Sequence, residues 1–148
     1  MHIKTLFLII LLALSGNAHA TWSLDNRESE LTFVSTKAVD IAEVLRFNSL
    51  SGNIADNGKA EVLIELTSVD TGVEIRDQRM QSILFETDSF PVAAIRAKVD
   101  RDLLDDMHPG ATKHMELEFE LDIHGKVTAV TAKVIIAKLG DSLVDDRA

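Results

Sequence analysis

The stretch from His114 to His124 constrains the fold more tightly than any other part of the sequence. Met115, Leu117, Phe119, Leu121 and Ile123 alternate there with His114, Glu116, Glu118, Glu120 and Asp122, so one face is apolar and the other strongly acidic. Period-two alternation sustained over that length marks a β-strand with one buried face. Ala60 to Leu66 repeats the pattern, with Val62, Ile64 and Leu66 opposite Glu61 and Glu65, although Leu63 interrupts the polar side. Ala93 to Val99 sets Ile95, Ala97 and Val99 against Arg96 and Lys98, and Leu31 to Ser35 and Val130 to Lys138 read as further strands. Asp56-Asn57-Gly58 and His124-Gly125-Lys126 supply residues that tolerate positive φ, as tight hairpins require. Met107 to Gly110, with Pro109, reads as a loop. A single segment carries helical spacing: Ile75, Arg79, Met80, Ile83 and Leu84 recur at three and four, predicting one short amphipathic helix over Glu74–Leu84 that ends before Phe90-Pro91. Many strands, one helix and no βαβ rhythm give an all-β chain whose antiparallel sheet curls or closes.

The amino end obeys different rules. Lys4 precedes an unbroken apolar run from Leu6 to Leu14, followed by Ser15, Gly16, Asn17 and Ala18-His19-Ala20. Cationic n-region, short h-region and A-x-A site in that order predict a secretory signal peptide over residues 1–20, with a mature protein starting at Thr21 and working in the periplasm. The run falls short of the roughly 20 apolar residues that span a bilayer, and no later segment approaches that length, so no integral membrane segment is expected. The chain has no cysteine, which excludes disulfides, cysteine nucleophiles and a lipid-modified cysteine after the signal. Residues 21–148 suffice for one domain and not for two. The signal takes with it one of 15 basic residues and none of 24 acidic ones, leaving a formal charge of −10. Such a surface repels phosphate backbones, so nucleic acid is excluded as a partner and no polybasic anchor is present.

Catalytic signatures are missing. No G-x-S-x-G elbow, H-E-x-x-H helix, P-loop or G-x-G-x-x-G fingerprint occurs. His114 and His124 sit on one strand face, roughly 34 Å apart at about 3.4 Å per residue, too far to share a metal, so neither a metal site nor a catalytic residue is assigned. The densest polar cluster is Ser68-Val69-Asp70-Thr71-Gly72 followed by Arg76-Asp77-Gln78-Arg79-Met80. Ser68, Asp70 or Thr71 can cap amides at a strand-to-helix transition, and Arg76 paired with Asp77 or Asp70 would fix the helix to the sheet. The competing reading makes Asp70 or Asp77 a general base beside Arg76, but no nucleophile or partner acid accompanies them.

The same cluster carries a resemblance. Leu66-Thr67-Ser68-Val69-Asp70-Thr71-Gly72, Arg76-Asp77-Gln78-Arg79-Met80, Leu84-Phe85 and Phe90-Pro91-Val92-Ala93 closely resemble the signature of the YceI-like family of periplasmic polyisoprenoid-binding proteins. Trp22-Ser23-Leu24-Asp25, Phe33-Val34-Ser35-Thr36-Lys37, Phe47 with Leu50-Ser51-Gly52-Asn53-Ile54, and Leu121-Asp122-Ile123-His124-Gly125-Lys126-Val127-Thr128 extend it over Thr21–Leu139. The resemblance implies a lipocalin-like antiparallel β-barrel whose apolar interior holds a lipid tail, such as that of a polyprenol or isoprenoid quinone, with no cofactor in the catalytic sense and no enzymatic activity. Phe33, Phe47, Val62, Ile64, Leu66, Leu84, Phe85, Ile95, Leu117, Phe119, Leu121 and Ile123 are the expected lining, with Ser68, Asp70, Arg76 and Asp77 as structural residues. Family members usually continue past Leu139 with a further strand pair, whereas Gly140 to Ala148 is a short acidic stretch; the expectation is an incomplete barrel with an open edge. An envelope enzyme and a solid-core interaction protein are the alternatives, because the alternating rows would equally fill a core with their own side chains.

Overall fold

The computed structural model describes residues 2–14, 22–38 and 41–139. In chain order the strands are β1 (His2–Leu14), β2 (Trp22–Leu24), β3 (Glu30–Ala38), β4 (Ile41–Phe47), β5 (Leu50–Ile54), β6 (Lys59–Glu65), β7 (Val69–Asp70), β8 (Val92–Lys98), β9 (Thr112–Ile123) and β10 (Lys126–Lys138). The helices are α1 (Glu74–Arg79), continued by a π-helical turn (Met80–Phe85), and α2 (Arg101–Asp105). One sheet holds all ten strands in the order β10-β9-β8-β6-β5-β2-β1-β3-β4-β7, and β1 pairs with β10 as well.

The alternation read from the sequence sets the register. In the β9–β10 hairpin, Leu117 faces Ala132 and Phe119 faces Val130, while Glu118 faces Thr131 on the outer surface. Phe119 is 3% exposed and Val134 1%, and burying a side chain of Phe size is worth about 1.5–3 kcal/mol. The hairpin turns on His124 (φ 55°) and Gly125 (φ 72°), the two positive-φ positions of a type I′ turn. At the other turn, Gly58 (φ 84°) is irreplaceable for a second reason: a Cβ there would lie 2.3 Å from the carbonyl oxygen of Val99.

The sheet departs from the antiparallel expectation in one place. Strands β2 to β10 alone leave it open, and β1 lies in the gap. It runs parallel to β10 through Phe7–Leu12 and antiparallel to β3 through His2–Ile9 and to β2 through Leu12–Leu14. Leu8, opposite Val134, is 1% exposed. An unbroken apolar run suits a strand buried on both sides as well as it suits an h-region, which is why periodicity alone does not separate the two. The cleavage-site residues Ala18-His19-Ala20, Thr21 and the stretch 140–148 lie outside the described residues.

Helix α2 had no counterpart in the sequence reading. Its five residues are too few to show a 3.6 period, and it rests on local chemistry: Asp100 Oδ1 accepts from the Asp102 amide at 3.0 Å, and Leu104 is buried.

Candidate functional site

Between the sheet and the π-helical turn, which supplies Phe85, lies an apolar cavity of about 380 Å³. Its wall comes from Leu31 and Phe33 of β3, Phe47 of β4, Ile64 of β6, Leu66, Phe85, Ala93 and Ile95 of β8, Leu121 and Ile123 of β9, and Val130 and Ala132 of β10. Glu116, Thr131 and Lys133 also border it, although their side chains are exposed and alternate with the inward-facing Leu117, Val130 and Ala132. Three aromatic rings cross the wall in sequence. Phe33 and Phe47 stack at 5.3 Å between centroids, and Phe47 meets Phe85 at 5.8 Å with a 50° tilt. A second void of about 30 Å³, bordered by Leu8, Val62, Leu117 and Val134 among others, is apolar and little larger than a water, which makes it a packing gap.

Eight of the twelve expected lining residues border the main cavity: Phe33, Phe47, Ile64, Leu66, Phe85, Ile95, Leu121 and Ile123. Val62 and Leu117 face the small void. Phe119 is buried away from both and borders a separate open groove with Arg96, Glu118 and Glu120, and Leu84 is 43% exposed on the outside of the helical segment. The predicted amphipathic stripe is displaced for a physical reason. After Arg79 the α-helix gives way to a π turn, whose i→i+5 bonding widens the period. Met80 and Phe85 thereby become the buried pair, while Ile75, Ile83 and Leu84 face outward. Leu31, Ala93, Val130 and Ala132 were absent from the expected lining. Counting back from His124-Gly125 would have found two of them, since the hairpin register sets Val130 and Ala132 opposite Phe119 and Leu117.

The polar cluster anchors the segment that carries Phe85. Asp77 accepts from the Thr71 amide at 2.8 Å and from the Thr71 hydroxyl at 2.6 Å. Asp70 accepts from the Gly72 amide at 2.9 Å and the Asn48 side chain at 3.3 Å; the Gly72 amide foremost, then Asn48, with Arg46 adding a smaller pull, holds its carboxyl below the usual range. Ser68 donates to the Glu65 carbonyl at 2.6 Å and accepts from the Ser49 amide at 3.0 Å, stitching the β4–β5 corner. Arg76 does not pair with Asp70 or Asp77, as expected from the sequence, but with Glu43 of β4 at 2.9 Å. The cap, too, differs: Val73 occupies the N-cap without a side-chain bond, and Asp77 reaches back to Thr71 instead. These acids and Arg76 are consumed in separate bonds, and none borders the cavity. At the far end, Glu86 adopts φ 51°, its carboxylate lies 2.6 Å from His124 Nε2, and the Phe90 ring packs on His124 at 4.3 Å. The segment is thus tied to β4 at one end and to the β9–β10 hairpin at the other.

The YceI-like domain family model matches residues 22–146. The chain belongs to the YceI-like family. No curated protein matches it. Among solved structures, this YceI-like chain is similar to one described as a polyisoprenoid binding domain from Saccharophagus degradans implicated in plant cell wall breakdown, with 34% identity and a TM-score of 0.71 over 82% of this chain and 70% of that one. The likeness extends the shared architecture well beyond the motif around Asp70 and Asp77. No helix among the described residues of the YceI-like chain is long and apolar enough to cross a membrane.

Proposed function

We propose that this YceI-like chain is a non-enzymatic periplasmic carrier that holds the tail of a long-chain isoprenoid, such as a polyprenol or quinone, or of a similar amphiphilic lipid. The observation that carries the reading is the cavity: about 380 Å³ walled by aliphatic and aromatic side chains, near the lower end of the roughly 300–1,000 Å³ common for ligand sites. A volume of that size encloses part of a long tail and leaves the remainder with its polar head outside. All the lining residues fall between Leu31 and Lys133, so removal of residues 1–20 on export keeps every lining residue in the chain while it takes out β1, which lies between β10 and β3. A relative described as polyisoprenoid-binding supports the ligand class, and Lys4, the apolar run and Ala18-His19-Ala20 support export. The engagement of Asp70, Arg76 and Asp77 in separate structural bonds supports the binding reading over the enzyme alternative.

Organic extraction of the purified protein followed by mass spectrometry tests the reading. The expected result is one stoichiometric lipid with an isoprenoid or comparable chain. A protein that comes out empty and takes up no polyprenol, quinone or fatty amphiphile when offered it would overturn the proposal.

A further inference from the structure

Eight large apolar side chains are conspicuously exposed on the described surface, and four of them, Val73, Ile75, Ile83 and Leu84, fall within residues 73–84. Ile83, at 73%, is the most exposed of all. The same short segment buries Met80 and turns Phe85 into the cavity wall. It is therefore apolar on two opposite sides, one of which the sheet covers and one of which nothing in the described chain covers. Ile75, Arg79 and Ile83 follow at intervals of four, and all three are exposed. Arg79 has no ion-pair partner among the described residues; the neighbouring Arg76 is the one bonded to Glu43.

From this arrangement we infer that the outer face of the α1 and π-turn segment docks on a bilayer containing anionic phospholipid, and that the protein loads and releases its lipid there. The inference rests on the carrier reading and specifies where exchange takes place. Two considerations select a bilayer over another protein. The face belongs to an element that walls the ligand site, because the helical segment that presents Ile75 and Ile83 outward also supplies Phe85 inward, so docking brings that element to the lipid reservoir. The charge also fits. The chain as a whole carries −9 and is repelled by anionic headgroups, whereas the exposed Arg79, without an ion-pair partner among the described residues, offers them a local attraction between Ile75 and Ile83. Repulsion elsewhere on the protein then favours this one face in the encounter.

The test uses the protein purified from the exported fraction, with its first residue verified by intact mass, and vesicles of phosphatidylcholine with or without phosphatidylglycerol. The parent should co-sediment with the vesicles, more strongly when phosphatidylglycerol is present. Ile75→Ser with Ile83→Ser should weaken co-sedimentation about tenfold or more, since two exposed apolar side chains no longer enter the interface, and should slow lipid transfer between vesicles. Arg79→Gln should reduce binding to the anionic vesicles and leave the neutral ones unaffected. Unchanged melting curves verify folding, and Val127→Ser, an exposed site on β10, should leave binding intact. The inference is overturned if the parent ignores vesicles, if the double variant binds as the parent does, if Val127→Ser weakens binding equally, or if the face instead drives self-association without vesicle binding. Lipid content by mass spectrometry keeps the two ideas apart. A loaded protein that never docks sinks only this inference, and a docking protein with an empty cavity sinks only the carrier reading.

Discussion

Filling the cavity from within distinguishes a ligand chamber from a loosely drawn core. Ala132 is 6% exposed, borders the cavity from β10 and faces Leu117 across the hairpin. Ala132→Leu adds three carbon atoms to that wall. At about 0.8 kcal/mol for each buried methylene the transfer gain is roughly 2.4 kcal/mol, and ordering the longer side chain returns about 0.5–1 kcal/mol. The lipid-free variant should then be more stable than the parent by about 1–2 kcal/mol, which for a chain of this size raises Tm by roughly 3–8 °C. A core without room would respond with the opposite sign, losing about 1–3 kcal/mol to overpacking. Urea and thermal melts of delipidated parent and variant measure the stability, and extraction with mass spectrometry measures retained lipid, which should fall. Destabilisation would refute the cavity as drawn. Added stability with undiminished lipid would place the ligand elsewhere.

Three further outcomes follow from the anchoring bonds and the amino end. Asp77→Ala leaves the Thr71 amide and hydroxyl without their acceptor and should cost about 1–3 kcal/mol, read as a lower urea midpoint; an unchanged midpoint with lost activity on an envelope substrate would revive the enzyme alternative. Because Asp70 is held below the usual carboxylate range by the Gly72 amide, Asn48 and Arg46, its contribution to stability is complete above the unfolded carboxylate pKa and disappears as the pH falls through its lowered folded value. Asp70→Asn should therefore flatten the acid limb of the stability–pH curve, and a variant with the parent's acid slope would contradict that account. Intact-mass measurement of the exported protein should show Thr21 as the first residue, and a mature species retaining Met1 to Ala20 would count against signal removal.

Strand-forming stretches with one wet and one dry face were legible because their chemistry is local. The acid-apolar alternation of Glu116 to Ile123 and the positive-φ pair at His124-Gly125 determine a hairpin and its register without outside help. The lining followed as far as the faces could be counted, which is why Phe33, Ile64, Ile95 and Leu121 were found. The misplacements arise where two elements must be known together. Leu84 was assigned inward because a 3.6 period was carried through a turn that widens at Met80, and Arg76 was assigned to an acid nearby in sequence when the partner, Glu43, lies 33 residues away on another strand. Ala93 and Ala132 escaped notice because a cavity is made by small residues as much as by large ones, and an alanine carries little signal of its own.

The position of β1 also has a bearing on time. Its parallel partner is β10, so Phe7 must meet Lys133, and the ribosome makes the first of these residues long before the second. At roughly 5–20 residues per second, about 6–25 s pass between them. During that interval the only neighbours β1 can recruit are β3 and β2, and a lone strand pair in water is marginal. The apolar run from Leu6 to Leu14 is consequently available to a translocase throughout synthesis and is withdrawn into the sheet only after the last strand has emerged. On the export reading proposed above, export and cytoplasmic folding become a race decided by translation speed: slowing elongation should lengthen the head start of the export route, and a chain that finishes unengaged should fold around its own amino-terminal run and hide it.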